Sequence, residues 1–424
     1  MKLQNNRGQV MLIACLLFLA AAAAVSAAAA GSALHRASAA RAFADARQGL
    51  YAISSVSEDV AYRKIKGMAI GDMETLTIGS VSATADVDPV FGGLEIRASA
   101  TGARFARKSL VRLAEGTTAS FQYAVQAGAG GIELDEDVRI TGDMFSNAPI
   151  EGNDETLVRG TVVSAGSSGR IEEIHATSSA YAHTIRDSDI DGDAYYQTIS
   201  GTTVGGELHH GSADVATASF PISDTLMEQW KTDAAAGGMH TSPCSYAISG
   251  IATLGPKKIN CNLIIDDDAV VTLEGPVWVV GNLTVTDDAE VKVSSSLSGK
   301  SIAIIADNPS NRSSASKVTV SNDARFTGAG ESSVVLLLSR NHSASQGGGT
   351  TAISVSEESR GDVFYYAGYG EIEFSDEARA LGAAGYALHI EDESILSYEP
   401  SLLHLSFPAG PSGGYTIESW KETE

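Results

Sequence analysis

LIIDDDAVVTL at residues 263–273 and LTVTDDAEVKV at 283–293 are one unit written twice. Each opens on an apolar–x–apolar alternation, turns through paired acidic residues followed by a small one, and closes on a second alternation. The unit returns as VTVSNDARF (318–326), ISVSEESRGDVF (353–364), IEFSDEARAL (372–381) and HIEDESIL (389–396), and IELDEDVRI (132–140) belongs to the same set. Its last acidic residue falls at Asp268, Asp288, Asp323, Glu358, Glu377 and Glu393, giving spacings of 20, 35, 35, 19 and 16. A short layer of this kind cannot bury its inner face alone, so neighbours must stack to close a continuous core. The pattern predicts a right-handed parallel β-helix-like solenoid over residues 123–220 and 237–407. A β-sandwich also consists of short strands separated by turns, but it does not require the turns to share their residues.

Outward from the repeats the texture changes. PISDTLMEQWKTDA (221–234) begins with Pro, carries early acids and places Leu226, Met227 and Trp230 at helical spacing, which predicts a helical insertion over 221–236 on the side or end of the stack. Residues 68–122 alternate as TLTIGSVSATADV (75–87), LEIRASATG (94–102) and RFARKSLVRLA (104–114), the pattern of a small antiparallel meander. Residues 408–424 read as a polar tail. The chain as a whole has 43 Gly, 10 Pro, 6% aromatics and a formal net charge of −23. That composition suits stacked strands and turns, and the charge excludes a phosphate-binding nucleic-acid surface.

The N-terminus sets the compartment. MKLQNNRG gives a basic leader over 1–8, and no charged residue follows from Gly8 through Leu34. As a helix those 27 residues span roughly 40 Å, more than the hydrocarbon core of about 30 Å. The apolar positions Phe43, Ala46, Leu50, Ile53 and Val60 then recur at helical spacing without an intervening Pro, so a membrane-spanning helix continues into an amphipathic one over 9–67. A cleaved secretory signal ending near Ala27–Ala30 and a plain anchor are the other readings of this run.

Arg7-Gly8 followed by the apolar run, together with GLYAISSVSEDVAYRK at 49–64, resembles the start of PilX-type type IV pilus-assembly proteins. The resemblance covers about 65 residues. It implies a prepilin-type leader cleaved between Gly8 and Gln9, a single-pass membrane segment, and a place in a pilus or related filament of the cell envelope. Pilins usually begin with Phe or Met, whereas Gln9 stands here; the fifth mature residue would be Ile13, where most major pilins have Glu. That departure points to a minor, tip or initiating subunit, or to an anchored protein that never polymerises. GDAYYQTISGTTVGG (192–206), the segment 221–234 and YTIESWKE (415–422) resemble β-helical ectodomains joined to such N-termini.

The candidate chemistry is sparse. DSDIDGD (187–193) opens like a calcium loop, with Asp187, Asp189, Asp191 and Asp193 as ligands and calcium as the implied cofactor, but its twelfth position is Thr198 where a bidentate Glu belongs. The same residues also suit a solvated turn. The acids Asp267–Asp268, Asp287–Asp288, Asp323, Glu357–Glu358 and Asp376–Glu377 would line one edge of the stack, binding cations or splaying into water. Cys244 and Cys261 form one disulfide in an oxidising compartment, or stand as two unrelated thiols. His209-His210 has no third ligand at metal spacing, and no nucleophile, HExxH or P-loop motif occurs. The sequence therefore predicts a non-enzymatic, membrane-anchored surface protein, a minor pilin or pilus-assembly and adhesion subunit. An anchored polysaccharide-binding or polysaccharide-cleaving β-helix is the first alternative. The second is a polymer-forming scaffold, which needs uncapped, apolar terminal layers, whereas the helix at 221–234 and the polar tail after Pro408 read as shielding.

Overall fold

The computed structural model describes residues 7–65, 70–71, 73–90, 93–103, 105–115, 118–119, 121–153, 156–408 and 415–423. Most of the leader over 1–8, and residues 409–414 of the expected tail, lie outside them. The chain forms two compact units, Met1–Ala114 with Thr416–Glu424, and Glu115–Tyr415. The second unit is thus an insertion in the chain of the first.

In the first unit a single helix, α1, runs from Arg7 to Ile65. Alanine and leucine favour it throughout, and Arg63 and Lys64 in the last turn complement its dipole. Its apolar first half, including Met11, Leu16, Phe18 and Val25, is exposed. Its second half buries Ala52, Ile53, Val56, Val60 and Ala61, one stripe of the helix. The stripe begins later than the sequence pattern suggested, for Phe43 is 71% exposed. Facing it is an antiparallel sheet of β1 (Met73–Ile78), β2 (Val81–Val90), β3 (Gly93–Gly102) and β4 (Phe105–Glu115). Alternate residues of the sheet point inward, as in Ala83, Ala85 and Val87 or Leu94, Ile96 and Ala98. Gly49 of α1 is required by packing: a Cβ there would lie 2.4 Å from the Phe105 ring.

The polar tail is corrected by this sheet. Tyr415–Thr423 is a strand that completes the order β1-β2-β3-β4 as its fifth member. The β-prone residues Tyr415, Thr416, Ile417 and Trp420 explain the pairing despite the surrounding charge, and Arg107 Nη1 holds Glu422 Oε1 at 3.0 Å.

The second unit is mainly β with parallel pairing, which an antiparallel sandwich cannot supply. Its chain starts in the middle of a stack, at Val125–Leu134. From there Arg139↔Leu157, Leu157↔His175, His175↔Asp189 and Asp189↔Thr203 carry one row of strands outward to one end. Residues 211–223 then return along the flank, where Asn147 Nδ2 donates to Ala218 O at 2.8 Å and Gln126 Nε2 to Ser219 O at 3.2 Å. Helix α2 (Asp224–Ala236) follows, with the Ser223 hydroxyl capping the Leu226 N–H. The chain restarts at the opposite end, and Ile251↔Val270, Val270↔Glu290, Glu290↔Arg325 and Arg325↔Arg360 bring it back inward. Finally Gly382–Ile390 pairs in parallel with Val125–Leu134, so the last layers close on the first.

Inward positions such as Ile140, Leu263, Val285, Val320 and Phe374 form one continuous core. Strands Ile302–Ala306 and Val335–Ser339 are buried along their whole length. Their outer sides meet Met227 and Trp230 of α2, which is why they read as unbroken apolar runs.

Candidate functional site

The acidic repeats build the most extended polar feature of the second unit. Both residues of each pair Glu136–Asp137, Asp267–Asp268, Asp287–Asp288, Asn322–Asp323, Glu357–Glu358, Asp376–Glu377 and Asp392–Glu393 have φ between 48° and 59°. Two successive left-handed residues make a tight turn that favours Asn, Asp and Gly. The turns stack, each second residue donating its backbone N–H to a carbonyl of the next turn: Asp268 to Asp287, Asp288 to Asn322, Asp323 to Glu357, Glu358 to Asp376, Glu377 to Asp392 and Glu393 to Glu136, at 2.8–2.9 Å. Five of these turns line a groove of about 690 Å³.

The expected row of acids is therefore present and in register. What the sequence did not reveal is its partial neutralisation. Arg325 Nη2 lies 3.1 Å from Asp288 Oδ1, and Arg360 Nη1 lies 3.2 Å from Asp323 Oδ1. Each arginine stands two positions beyond its own turn and reaches back to the neighbouring one. In sequence such an arginine is indistinguishable from an ordinary exposed strand residue.

A second cluster lies where the last strands meet the first. Ligand atoms of Glu133, Asp135 and His389 all fall within 4.8 Å of one another. His389 Nε2 is 3.3 Å from Asp135 Oδ2 and 3.5 Å from Glu391 Oε2. Burial disfavours the imidazolium, yet the Asp135 contact and the charges of Glu391 and Glu133 outweigh it and hold the His389 pKa above its ordinary value. One nitrogen and carboxylate oxygens form a donor set that a divalent metal could use. Asp135 and His389 are 254 positions apart, and the signal that could have joined them is the repeat itself, since IELDEDVRI and HIEDESIL aligned on their turns set His389 beside Glu133.

The proposed calcium ligands are divided by the fold. Asp189 and Ile190 form a strand in which Ile190 points into the core. Asp189 and Asp191 therefore face outward, where their carboxylates gather with His175 within 4.8 Å. Asp187 occupies a left-handed corner with φ of 44° and its Oδ1 fills the space above Gly201. Asp193 Oδ1 accepts the backbone N–H of Glu207 at 2.8 Å, tying one layer to the next. The segment is a corner, a strand and a second corner, not one loop of four converging carboxylates.

Cys244 and Cys261 are free thiols in neighbouring layers. Cys244 Sγ lies 3.7 Å from the Asn260 carbonyl and Cys261 Sγ 3.9 Å from that of Pro243, and a hydrogen bond with Cys261 together with local desolvation raises the Cys244 pKa. His209 and His210 do not act as a pair: His209 stacks on Tyr195 at 4.3 Å, while His210 meets Tyr196 edge-on at 5.7 Å. Gly8 and Gln9 lie in the first turns of α1.

The architecture so defined is a mainly β protein with parallel sheets and one long, apolar N-terminal helix. No protein-family model and no curated protein matches the chain. Among solved structures, the crystal structure of competence-associated pilin ComZ from Thermus thermophilus aligns with 89% of this chain and 97% of its own at 10% identity. The TM-score of 0.22 is too low for that alignment to bear on fold or role.

Proposed function

We propose that this chain is a non-enzymatic, single-pass envelope protein, a minor pilin or pilus-assembly and adhesion subunit whose ectodomain is a right-handed parallel β-helix. The observation that carries the reading is α1 itself. One unbroken helix of 59 residues leaves its apolar first half bare, while its second half lies in the antiparallel sheet of its own unit. Its most apolar 18-residue window has a mean hydropathy of 2.5, a surface that needs lipid or other helices as its solvent. A secretory signal has no reason to continue in phase into a packed helix. The β-helix reading rests on the succession of parallel registers, and its hand on the right-handed preference of parallel crossovers. In an oxidising compartment Cys244 and Cys261 would join neighbouring layers, since strands about 4.8 Å apart bring their Cα atoms into disulfide range.

Mass spectrometry of the N-terminus of protein recovered from its native envelope tests this function. A mature chain beginning at Gln9 is expected from prepilin-type processing. A start near Ala30 would remove the apolar half of the helix and overturn the reading, whereas an intact Met1 would leave an anchored ectodomain without filament processing.

A further inference from the structure

Where the last layers close on the first, three successive strands bring together side chains of one kind. Segments 371–375, 387–391 and 131–135 lie side by side, in the registers Glu373↔His389 and His389↔Glu133. The pairing runs on past the strands, since the Glu391 N–H donates to the Phe374 carbonyl and the Asp135 N–H to the Ile390 carbonyl, both at 2.9 Å. Ile372, Leu388 and Ile132 point into the core. By alternation, Glu371, Glu373, His389, Glu391, Glu133 and Asp135 share the outer face.

These three segments contain five acids, one His and no Lys or Arg. Elsewhere on the stack the chain neutralises its own carboxylates. Arg325 and Arg360 reach the acidic turns, and Arg170 holds Glu151 and Glu172. At the seam, Glu133 and Asp135 on the first strand face Glu373 and Glu391 of the second run, with His389 alone between them. Like charges therefore oppose closure at the place where the two runs must join.

A nitrogen donor and its geometry separate this cluster from the acidic turns. His389 Nε2 lies 3.3 Å from Asp135 Oδ2 and 3.5 Å from Glu391 Oε2. One donor atom each of Glu133, Asp135 and His389 falls within 4.8 Å of the other two. Donors held by one tetrahedral zinc at about 2.0–2.1 Å stand about 3.4 Å apart. The His389–Asp135 pair already has that spacing, and Glu133 is exposed, with a long side chain to close the remainder. A depression of about 240 Å³, lined by Gly130, Gly131, Glu133, Ala387 and His389 among others, adjoins the cluster and admits water as a further ligand. Calcium takes six to eight oxygens, whereas zinc accepts imidazole with carboxylate.

We propose that Glu133, Asp135 and His389 bind one zinc ion, with water in the fourth position, and that the ion staples the first strand of the stack to the last. Its ligands come from strands 254 positions apart, so the unfolded chain offers no such site. Zinc thus favours the closed seam by mass action. The site belongs to the second unit and uses neither α1 nor any processing of the N-terminus, so it stands or falls apart from the membrane role.

The test is made on the full chain in detergent, with Cys15, Cys244 and Cys261 changed to Ser so that no thiol competes. Zinc titrated against a chromophoric chelator should reveal a site that His389→Ala and Asp135→Asn each weaken by at least about tenfold. His175→Ala, in the other cluster of His and Asp, should leave that site unchanged. Hydrogen exchange places it: zinc should slow exchange across 125–134 and 382–390 in the parent and not in His389→Ala. Circular dichroism checks that each variant is folded, and His389→Gln repeats the measurement with the side-chain size kept and the imidazole removed. No slowing by zinc in the parent overturns the proposal. Slowing that survives loss of His389, or that calcium produces equally, would reveal only the screening of an acidic surface and overturn it as well.

Discussion

Asp376 and Glu377 hold φ of 51° and 59°, a conformation that costs an ordinary L-residue on the order of 1–2 kcal/mol. The turns on either side carry Glu357–Glu358 and Asp392–Glu393, so six carboxylates are confined to three layers. Asn-Gly is the pair that two left-handed positions favour, and it carries no charge. The double change Asp376→Asn, Glu377→Gly should therefore raise stability by about 1 kcal/mol at low salt, through relief of both strain and repulsion. Thermal melts at low salt and at about 1 M salt check it, because at the higher salt the Debye length falls to about 3 Å and the repulsive part of the gain disappears. A variant less stable than the parent at low salt would mean that contacts of these acids, such as the Ser375 hydroxyl on Asp376 Oδ2, outweigh strain and repulsion. This much of the site was legible in the sequence, since a pair of left-handed residues admits few residue types and the same types recur. DSDIDGD was less informative for the complementary reason: alternating carboxylates look the same whether a loop converges them on one ion or a strand turns them outward.

Helix α2 is held to the sheet by charge as well as by Trp230. Lys231, only 4% exposed, places Nζ 2.7 Å from Asp307 Oδ2 and 2.8 Å from Glu228. Arg312 donates to the two Asp307 oxygens at 2.7 and 2.9 Å, and the Trp278 indole donates to the Asp307 carbonyl at 2.9 Å. Burial alone would raise the Asp307 pKa, but the Arg312 and Lys231 contacts outweigh it and hold the carboxyl below its usual range. Asp307→Asn leaves two cations facing a neutral amide in a buried site and should destabilise the protein by about 3–5 kcal/mol at pH 7, read from denaturant midpoints. The sign with pH follows from the depressed value. The contribution of Asp307 is fully present above the unfolded carboxyl pKa of about 3.9 and is lost as pH falls through the folded one. The gap between parent and variant should thus be constant down to about pH 5 and close below it. The helix itself was legible from Pro221, the early acids and the spacing of Leu226, Met227 and Trp230. Its brace was not, because Lys231 and Asp307 lie 76 positions apart and each alone reads as a surface charge.

At the scale of the molecule, the repeats announced stacking and parallel strands but not the order of the layers. The two runs 123–220 and 237–407 read as one continuous progression. In the structure the first run instead starts at a seam in the middle and moves out to one end, and the second starts at the opposite end and moves back to that seam, because residues 211–236 carry the chain back along the flank before the second run begins. Periodic turn chemistry reports that layers exist; it holds no information on which layer is first, since every layer offers the same edge. The seam does leave a local mark in AGAGG (127–131). Gly130 and Gly131 are strand residues there, and a Cβ on Gly130 would fall 2.6 Å from the Ala387 Cβ and 2.8 Å from the Tyr386 carbonyl. Glycine is thus required by the approach of the last strand to the first. Gly130→Val suits a strand by propensity but should force the seam apart, at a cost typical of overpacking, about 1–3 kcal/mol. Each half keeps its own registers, so the damage should be confined in place. Hydrogen exchange of the variant should show lost protection across 125–134 and 382–390, with protection retained at 263–265, 283–285 and 318–320. Uniform loss across the stack would show instead that the halves fold as one cooperative body, with the seam as its nucleus and not its closure.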